Sequence, residues 1–391
     1  MKVCLQQFLG QNHSWSIVGQ NIARALIAKG HEVHLQSTNG YEHFPADLEP
    51  FKREKLEKYD MQISYTAMHN FPQYLSHGVK NRFGLWNFET TVLPQGFAKY
   101  YKATDKMIPS SAFAKKVFVD NGVPDDHVVV VPHGINVEEY STNEIYELKT
   151  KKKYKILANI AQPHVRKNIN GLFEAYGKAF TKDDDVCLVV KVSAKKVDTK
   201  YVQPPIVARN KRAARKIKQK LEEVAPKTKK SYTFDVDFWG IYNNFRKQFP
   251  NHAEVEIIDH FLDSMVPLYN ACDIVFSTTH AECFWLPGLE GMATNNLVIA
   301  PNWGGQLEYM NEHNSLLIDG EETRAPKKMQ YWAPSPYAKT FTPYVEDTVA
   351  KLQLAVSQYD TLMEKFRPGM KEQLDRLTWG NVVDQIIGLC E

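Results

Sequence analysis

At 391 residues, with 43% hydrophobic and 24% charged residues, the chain has the balance of a folded globular protein, which excludes the disordered and fibrous classes. The length exceeds one ordinary core and suits two, with a cleft between them. A formal charge of +3 is too small for the chain as a whole to read as a nucleic-acid binder, so no nucleic-acid partner is expected.

Strand-type runs at 2–8, 32–37, 61–65, 82–86, 106–108 and 128–131 alternate with amphipathic helical patterns, the mark of a parallel sheet with crossover helices. Between the first two runs, 17–29 places Val18, Ile22, Ala25 and Leu26 on one face and ends at Gly30, a suitable helix stop. Residues 144–153 are charged, hold few large apolar side chains and precede a fresh strand, so the domain boundary is placed there. The second half repeats the plan with strands at 155–159, 187–191, 255–258, 273–278, 297–300 and 316–318 and helices at 169–180, 264–270 and 287–293. The expected fold is therefore α/β, with two facing Rossmann-like domains, parallel sheets and an interdomain cleft. The domains are 1–148 and 149–377, with a long interval at 193–254 before the next strand run, and a last helix carries Val382, Val383, Ile386, Ile387 and Leu389 on an apolar face that needs burial.

The five cysteines (Cys4, Cys187, Cys272, Cys283 and Cys390) are odd in number and form no C-x-x-C pair, which points to reduced thiols in a cytoplasmic protein. No signal peptide is expected from the residues after Met1, and no run approaches the length of a membrane span.

Ligands of such sheets bind beyond the carboxyl ends of the strands, so the loops there carry the candidates. The densest is HAECFWLPGLE, 280–290. Pro287 suits a first helical turn, and the free N–H groups around it, at Cys283, Phe284, Trp285 and Leu286, can receive phosphate oxygens. Glu282 and Glu290 can both face one ligand, one near a sugar and the other on vicinal ribose hydroxyls. Equally, Glu290 can be a first-turn residue favoured by the helix dipole and Glu282 a solvated loop residue. In the loop after 155–159, Arg166 and Lys167 can clamp a diphosphate or form a solvated surface pair.

This segment resembles the retaining glycosyltransferases of family four, whose E-x7-E motif Glu282 and Glu290 match in register. The resemblance continues through 291–293, the strand 297–300 and Gly304, Gly305 and Glu308, which match G-G-x-x-E. Upstream, 260–262, Leu268, Tyr269 and 271–273 look like the lead-in to the motif, and 131–136 looks like the interdomain P-N-G-V-D segment, with His133 in the asparagine position. The resemblance implies a GT-B fold and transfer of a hexosyl group from a UDP- or GDP-sugar to a hydroxyl acceptor, with retention of configuration and no cofactor or metal. It implies that Lys167 and Arg166 stabilise the leaving diphosphate. The family's arginine often sits several residues earlier, where this chain has Ala161 or Gln162, so Arg166 stands in its place. It also implies that the last helix, within 378–391, crosses back onto the amino-terminal domain.

The first loop offers Gly10, a donor or acceptor contact outside any G-x-G-x-x-G pattern. Where many members carry a histidine, this chain has 85–90, with Glu89 as the residue to line the cleft; His69 and His133 are further cleft candidates, although a lone histidine such as His69 is more often structural. Asp235 and Asp237 form a D-x-D that reads as a strand edge or loop, and the thirteen histidines lack zinc-site spacing, so no metal is expected. Relative to the family's compact pattern 193–254 looks like an insertion, and within it Arg209, Lys211, Arg212, Arg215, Lys216, Lys218 and Lys220 load a helix with positive charge, either a solvated face or a contact for an anionic acceptor or membrane surface. Two rival functions stay open: a nucleotide-sugar epimerase or hydrolase of the same architecture, and a catalytically silent sugar-nucleotide-binding partner subunit.

Overall fold

A computed structural model describes residues 1–10, 14–38, 43–52, 58–76, 78–193, 236–326, 329 and 335–390. The basic residues 209–220 and Asp235 lie outside them.

Two parallel sheets organise the chain. The first has the order β2-β1-β3-β4-β5, from β1 (Lys2–Gln7), β2 (Glu32–Ser37), β3 (Met61–Tyr65), β4 (Asn81–Leu85) and β5 (Lys106–Ile108). The second has the order β11-β10-β9-β6-β7-β8, from β6 (Tyr154–Ala161), β7 (Val186–Val192), β8 (Glu254–Ile258), β9 (Ile274–Phe276), β10 (Leu297–Pro301) and β11 (Leu316–Ile318). Strands covered on both faces need no polar side, and β3, β7 and β10 are accordingly buried at every residue.

Both sheets reverse direction once. The chain runs β6 to β7 to β8 on one side and then places β9 on the other side of β6, which opens a crevice between the carboxyl ends of β6 and β9. In the first sheet the equivalent point lies between β1 and β3.

Three details depart from the sequence reading. Residues 128–131 add no strand, because Pro109 ends β5 and brings no N–H to a ladder; a single bridge from Met107 to Val128 remains. A hairpin of β12 (Gly320–Arg324) and β13 (Lys339–Pro343) was not expected, since its runs are short and polar. Asp237 proves to be a helix cap, its carboxylate accepting from Gly240 N at 2.9 Å to start the Phe238–Gln248 helix.

The last helix, Trp379–Ile387, buries Trp379, Val382, Val383 and Ile386 in the same core as Val3, Leu5, Val18 and Leu26 of the first sheet layer. The two chain crossings run side by side, with Ile135 N donating to Leu377 O at 2.7 Å. Among the described residues no helix is long and apolar enough to cross a membrane.

Candidate active site

The loops after β6 and β9 meet in the second-sheet crevice and are stitched together by backbone and side chains. Asn168, in the left-handed conformation at φ 48°, caps the Ile169–Ala179 helix through Gly171 N, while its amide donates to Thr278 O at 3.0 Å. Thr278 returns a hydrogen bond to Asn168 O at 3.1 Å, and His280 N donates to Arg166 O at 2.8 Å. Such a double seam fixes Arg166 and Lys167 relative to Glu282.

Glu282 takes both cations. Arg166 Nη1 lies 2.5 Å from Oε2 and Lys167 Nζ 2.8 Å from Oε1. Arg166 also donates to Ala281 O at 2.8 Å. Burial alone would raise the Glu282 carboxyl, but the adjacent guanidinium and ammonium more than reverse this and hold it at about 2. Burial pushes the Lys167 ammonium below its ordinary range despite the attraction of Glu282. His164 is pushed down to about 4 by burial and by the charges of Arg166 and Lys167, and as a neutral ring it accepts from Arg166 N at 3.0 Å.

The glycine pair behind this loop has a steric cause. Gly305 lies so close that a Cβ would fall 1.7 Å from Cys283 O, and its N–H donates to Glu282 O at 2.7 Å; Gly304 adopts φ 98°. Glu308 accepts from Ala112 N at 2.9 Å, at the start of the Ala112–Asp120 helix. Its carboxylate thereby joins a loop of the second half to the first.

Glu290 sits near the end of the Leu286–Ala293 helix, half-buried, and is held by tyrosines. Tyr269 donates to Oε2 at 2.6 Å, and the Tyr140 hydroxyl bonds the same carboxylate. Burial raises its carboxyl above the usual range, against the pull of these two hydroxyls. Asn159 at the end of β6 donates to Tyr269 Oη at 3.2 Å.

The other candidates separate into two groups. Glu89 reaches across from the loop after β4, its Oε1 4.0 Å from Arg166 Nε. Its loop is anchored by buried Trp86 and Phe88 and by Asn87, which accepts from Ser110 N and Oγ at 2.9 Å each. The Cys283 carbonyl accepts from Ser111 Oγ at 2.8 Å. Leu286 packs against both sheet cores. By contrast, Phe284 is buried between His133, at 5.0 Å, and Tyr309, at 5.2 Å, and Trp285, at φ 63°, is buried with its carbonyl accepting from Tyr309 Oη at 2.6 Å. His133 is itself buried, which pushes it down to about 3, and it lies against Tyr65, Phe284 and Trp379. His69 lies against Phe97, with ring centroids 4.9 Å apart and the rings tilted by 46°, instead of joining the charge cluster. Gly10 is buried just beyond β1. Tyr140, Tyr269 and Ser111 were missed as site residues by the sequence reading. Tyr269 lay within the family-like lead-in, but nothing in the spacing tied its hydroxyl to Glu290.

No protein-family model matches the chain, and no curated protein sequence matches it. Solved structures do resemble it. A glycosyltransferase from Rickettsia africae superposes with a TM-score of 0.64 at 15% identity, over 99% of this chain and 97% of that one. The Anabaena protein HepE in complex with UDP-glucose gives 0.63 at 12% identity, over 99% and 98%. Sucrose-phosphate synthase from Thermosynechococcus elongatus gives 0.59 at 13% identity, over 99% and 98%. With its two parallel Rossmann-like sheets, the chain has the GT-B fold.

Proposed function

We propose that the chain is a retaining glycosyltransferase of the family-four type, moving a hexosyl group from a nucleotide-diphosphate sugar, UDP- or GDP-linked, to a hydroxyl acceptor. The observation that carries this reading is the convergence of Arg166, Lys167 and Glu282 at the β6–β9 crevice, opposite Glu89. Residues 149–377 hold the donor and 1–148 present the acceptor. The names of the structural neighbours support the reading at the level of glycosyl transfer, and HepE carries UDP-glucose. Free cysteines at 4, 187, 272, 283 and 390 fit a cytoplasmic location. The basic residues 209–220 are the proposed contact for an anionic membrane surface or acceptor.

In this mechanism Glu290 accepts from the ribose hydroxyls and Glu282 faces the transferred sugar. The bond from the anomeric carbon to the diphosphate oxygen breaks, and Arg166 and Lys167 meet the growing charge on the leaving group. The acceptor oxygen forms its bond on the same face and passes its proton to a leaving phosphate oxygen. No protein nucleophile takes part.

The test is to screen UDP- and GDP-hexoses for thermal stabilisation and then to follow turnover with a sugar acceptor panel. Stabilisation with transfer to a hydroxyl, and an axial product from an axial donor, is the expected result. Free hexose or an epimerised nucleotide sugar as the sole product identifies the hydrolase or epimerase, and binding without any turnover identifies a silent partner subunit.

A further inference from the structure

Glu290, the acid proposed above for the ribose, belongs to a closed circuit of hydrogen bonds with Tyr269. Tyr269 is fully buried in the Val266–Asn270 helix, and its hydroxyl donates to Glu290 Oε2 at 2.6 Å. Its carbonyl accepts from Asn296 Nδ2 at 3.1 Å, and the same amide donates to Thr294 Oγ1 at 2.8 Å. Thr294 Oγ1 in turn donates to Glu290 O at 2.9 Å. The side chain and the main chain of Glu290 are thus both tied to one tyrosine, which leaves the carboxylate little freedom to turn away.

Asn159 sets the direction of the central bond. Its amide nitrogen can only donate, and near the end of β6 it does so to Tyr269 Oη at 3.2 Å. The single phenol hydrogen therefore goes to Glu290, which accepts it as an ionised carboxylate. Burial acts against that charge, and the Tyr269 hydroxyl acts for it. An ionised carboxylate has about four lone-pair sites, so accepting capacity remains, and Glu290 is only half-buried, which leaves it open to a ligand.

We propose that Tyr269, held by Asn159, is a positioning residue for the donor: it fixes the Glu290 carboxylate as the acceptor for two vicinal hydroxyls, so that the site selects ribonucleotides over deoxyribonucleotides. This inference rests on the reading of Glu290 as the ribose ligand. A 2′- or 3′-deoxyribose brings one of the two hydroxyls and forgoes one charge-assisted hydrogen bond. Without the phenol hydroxyl the carboxylate is free to change rotamer, and two hydroxyls at fixed separation lose more by that than one does.

The experiment is isothermal titration of the full chain with UDP, 2′-deoxy-UDP and 3′-deoxy-UDP, and with the corresponding GDP set, on the parent and on Tyr269→Phe, Asn159→Ala and Glu290→Ala. The parent should bind the ribonucleotide roughly tenfold to a hundredfold more tightly than either deoxy form, the scale of one hydrogen bond to a charged group. Tyr269→Phe keeps the ring in the second-sheet core and should bring that ratio below about fivefold, by weakening the ribonucleotide more than the deoxy forms. Asn159→Ala releases the phenol hydrogen and leaves the ring in place; it should lower the ratio about twofold to threefold, and it carries the test if Tyr269→Phe does not fold. A tyrosine with a merely structural role would weaken all three nucleotides alike. The parent ratio retained in the folded variants of Tyr269 and Asn159 overturns the inference, and a ratio that nonetheless collapses in Glu290→Ala leaves the ribose reading of Glu290 standing without it. A parent that binds ribose and deoxyribose forms alike overturns both, and a parent that binds none of these nucleotides removes the donor site itself.

Discussion

Lys167 Nζ and Arg166 Nη1 share one carboxylate, Glu282, at 2.8 and 2.5 Å, and that single buried acid offsets the repulsion between two half-buried cations. With Glu89 4.0 Å from Arg166, the four charges balance. In the proposed donor site a diphosphate meets a cluster that is already assembled, and it competes with carboxylates for the cations.

The first consequence is a dependence on acid. A carboxylate held at about 2, below its ordinary 4.5, contributes stability that is complete above pH 4.5 and is lost as the pH falls towards 2. Glu282→Gln removes that contribution and leaves Arg166 and Lys167 facing each other without their shared carboxylate. It should destabilise the chain at pH 7 by about 3 to 5 kcal/mol, more than Lys167→Met, which leaves the Arg166–Glu282 pair intact. The difference between parent and Glu282→Gln in urea unfolding should shrink between pH 4.5 and 2; a constant difference would mean that Glu282 is not the anchor of the cluster.

The second concerns Glu89. Its carboxylate subtracts one charge beside Arg166, so Glu89→Gln should tighten the binding of free nucleotide diphosphate by about twofold to fivefold at low salt, with the gain fading at high salt. Calorimetry at two ionic strengths gives the answer, and weaker binding in the variant would count against the charge balance.

The two parallel sheets follow from alternation of apolar runs and helical patterns, and β2, β3, β5 and β11 begin and end where the sequence suggests. The loop chemistry was legible in part. Glu282, Lys167 and Arg166 could be named because loops at the carboxyl ends of parallel strands carry ligands and because these positions resemble the family's motifs. Their mutual pairing could not, since it depends on the seam between Asn168 and Thr278, 110 residues apart in the chain. Phe284 and Trp285 show the converse. Their place in the motif suggests ligand contact, yet aromatic side chains beside a tight backbone turn are most readily buried, and here they fill the junction with His133 and Tyr309. The β12–β13 hairpin carries too little apolar alternation to be seen, although it docks on the first half through Lys339 N to Thr91 Oγ1 at 3.0 Å.

The third prediction is for the last helix. Val383 is fully buried against the first-sheet core, so Val383→Asp places an unpaired charge there and should cost about 4 kcal/mol or more. Asp384, which is exposed and pairs with Lys29 at 2.8 Å, should tolerate alanine with a change below about 1 kcal/mol. Chemical unfolding of the two neighbours gives the contrast, and similar losses for both would mean that the helix is not seated through its apolar face.

The last prediction separates binding from chemistry at the proposed donor site. Glu290→Ala removes the carboxylate held by Tyr269 and Tyr140, so the ribose loses charge-assisted hydrogen bonds worth roughly 1.5 to 3 kcal/mol each, and nucleotide affinity should fall first. Lys167→Ala acts on a charge that grows as the diphosphate departs, so it should lower turnover more than affinity. Because Lys167 is also a partner of Glu282, part of its loss is positional, and Lys167→Arg, which keeps the charge and a donor for Glu282, should recover stability ahead of turnover. Glu282→Gln should retain nucleotide while transfer falls. Steady-state kinetics beside direct nucleotide titration distinguishes these losses, and three folded variants that bind and transfer like the parent would place the donor site elsewhere.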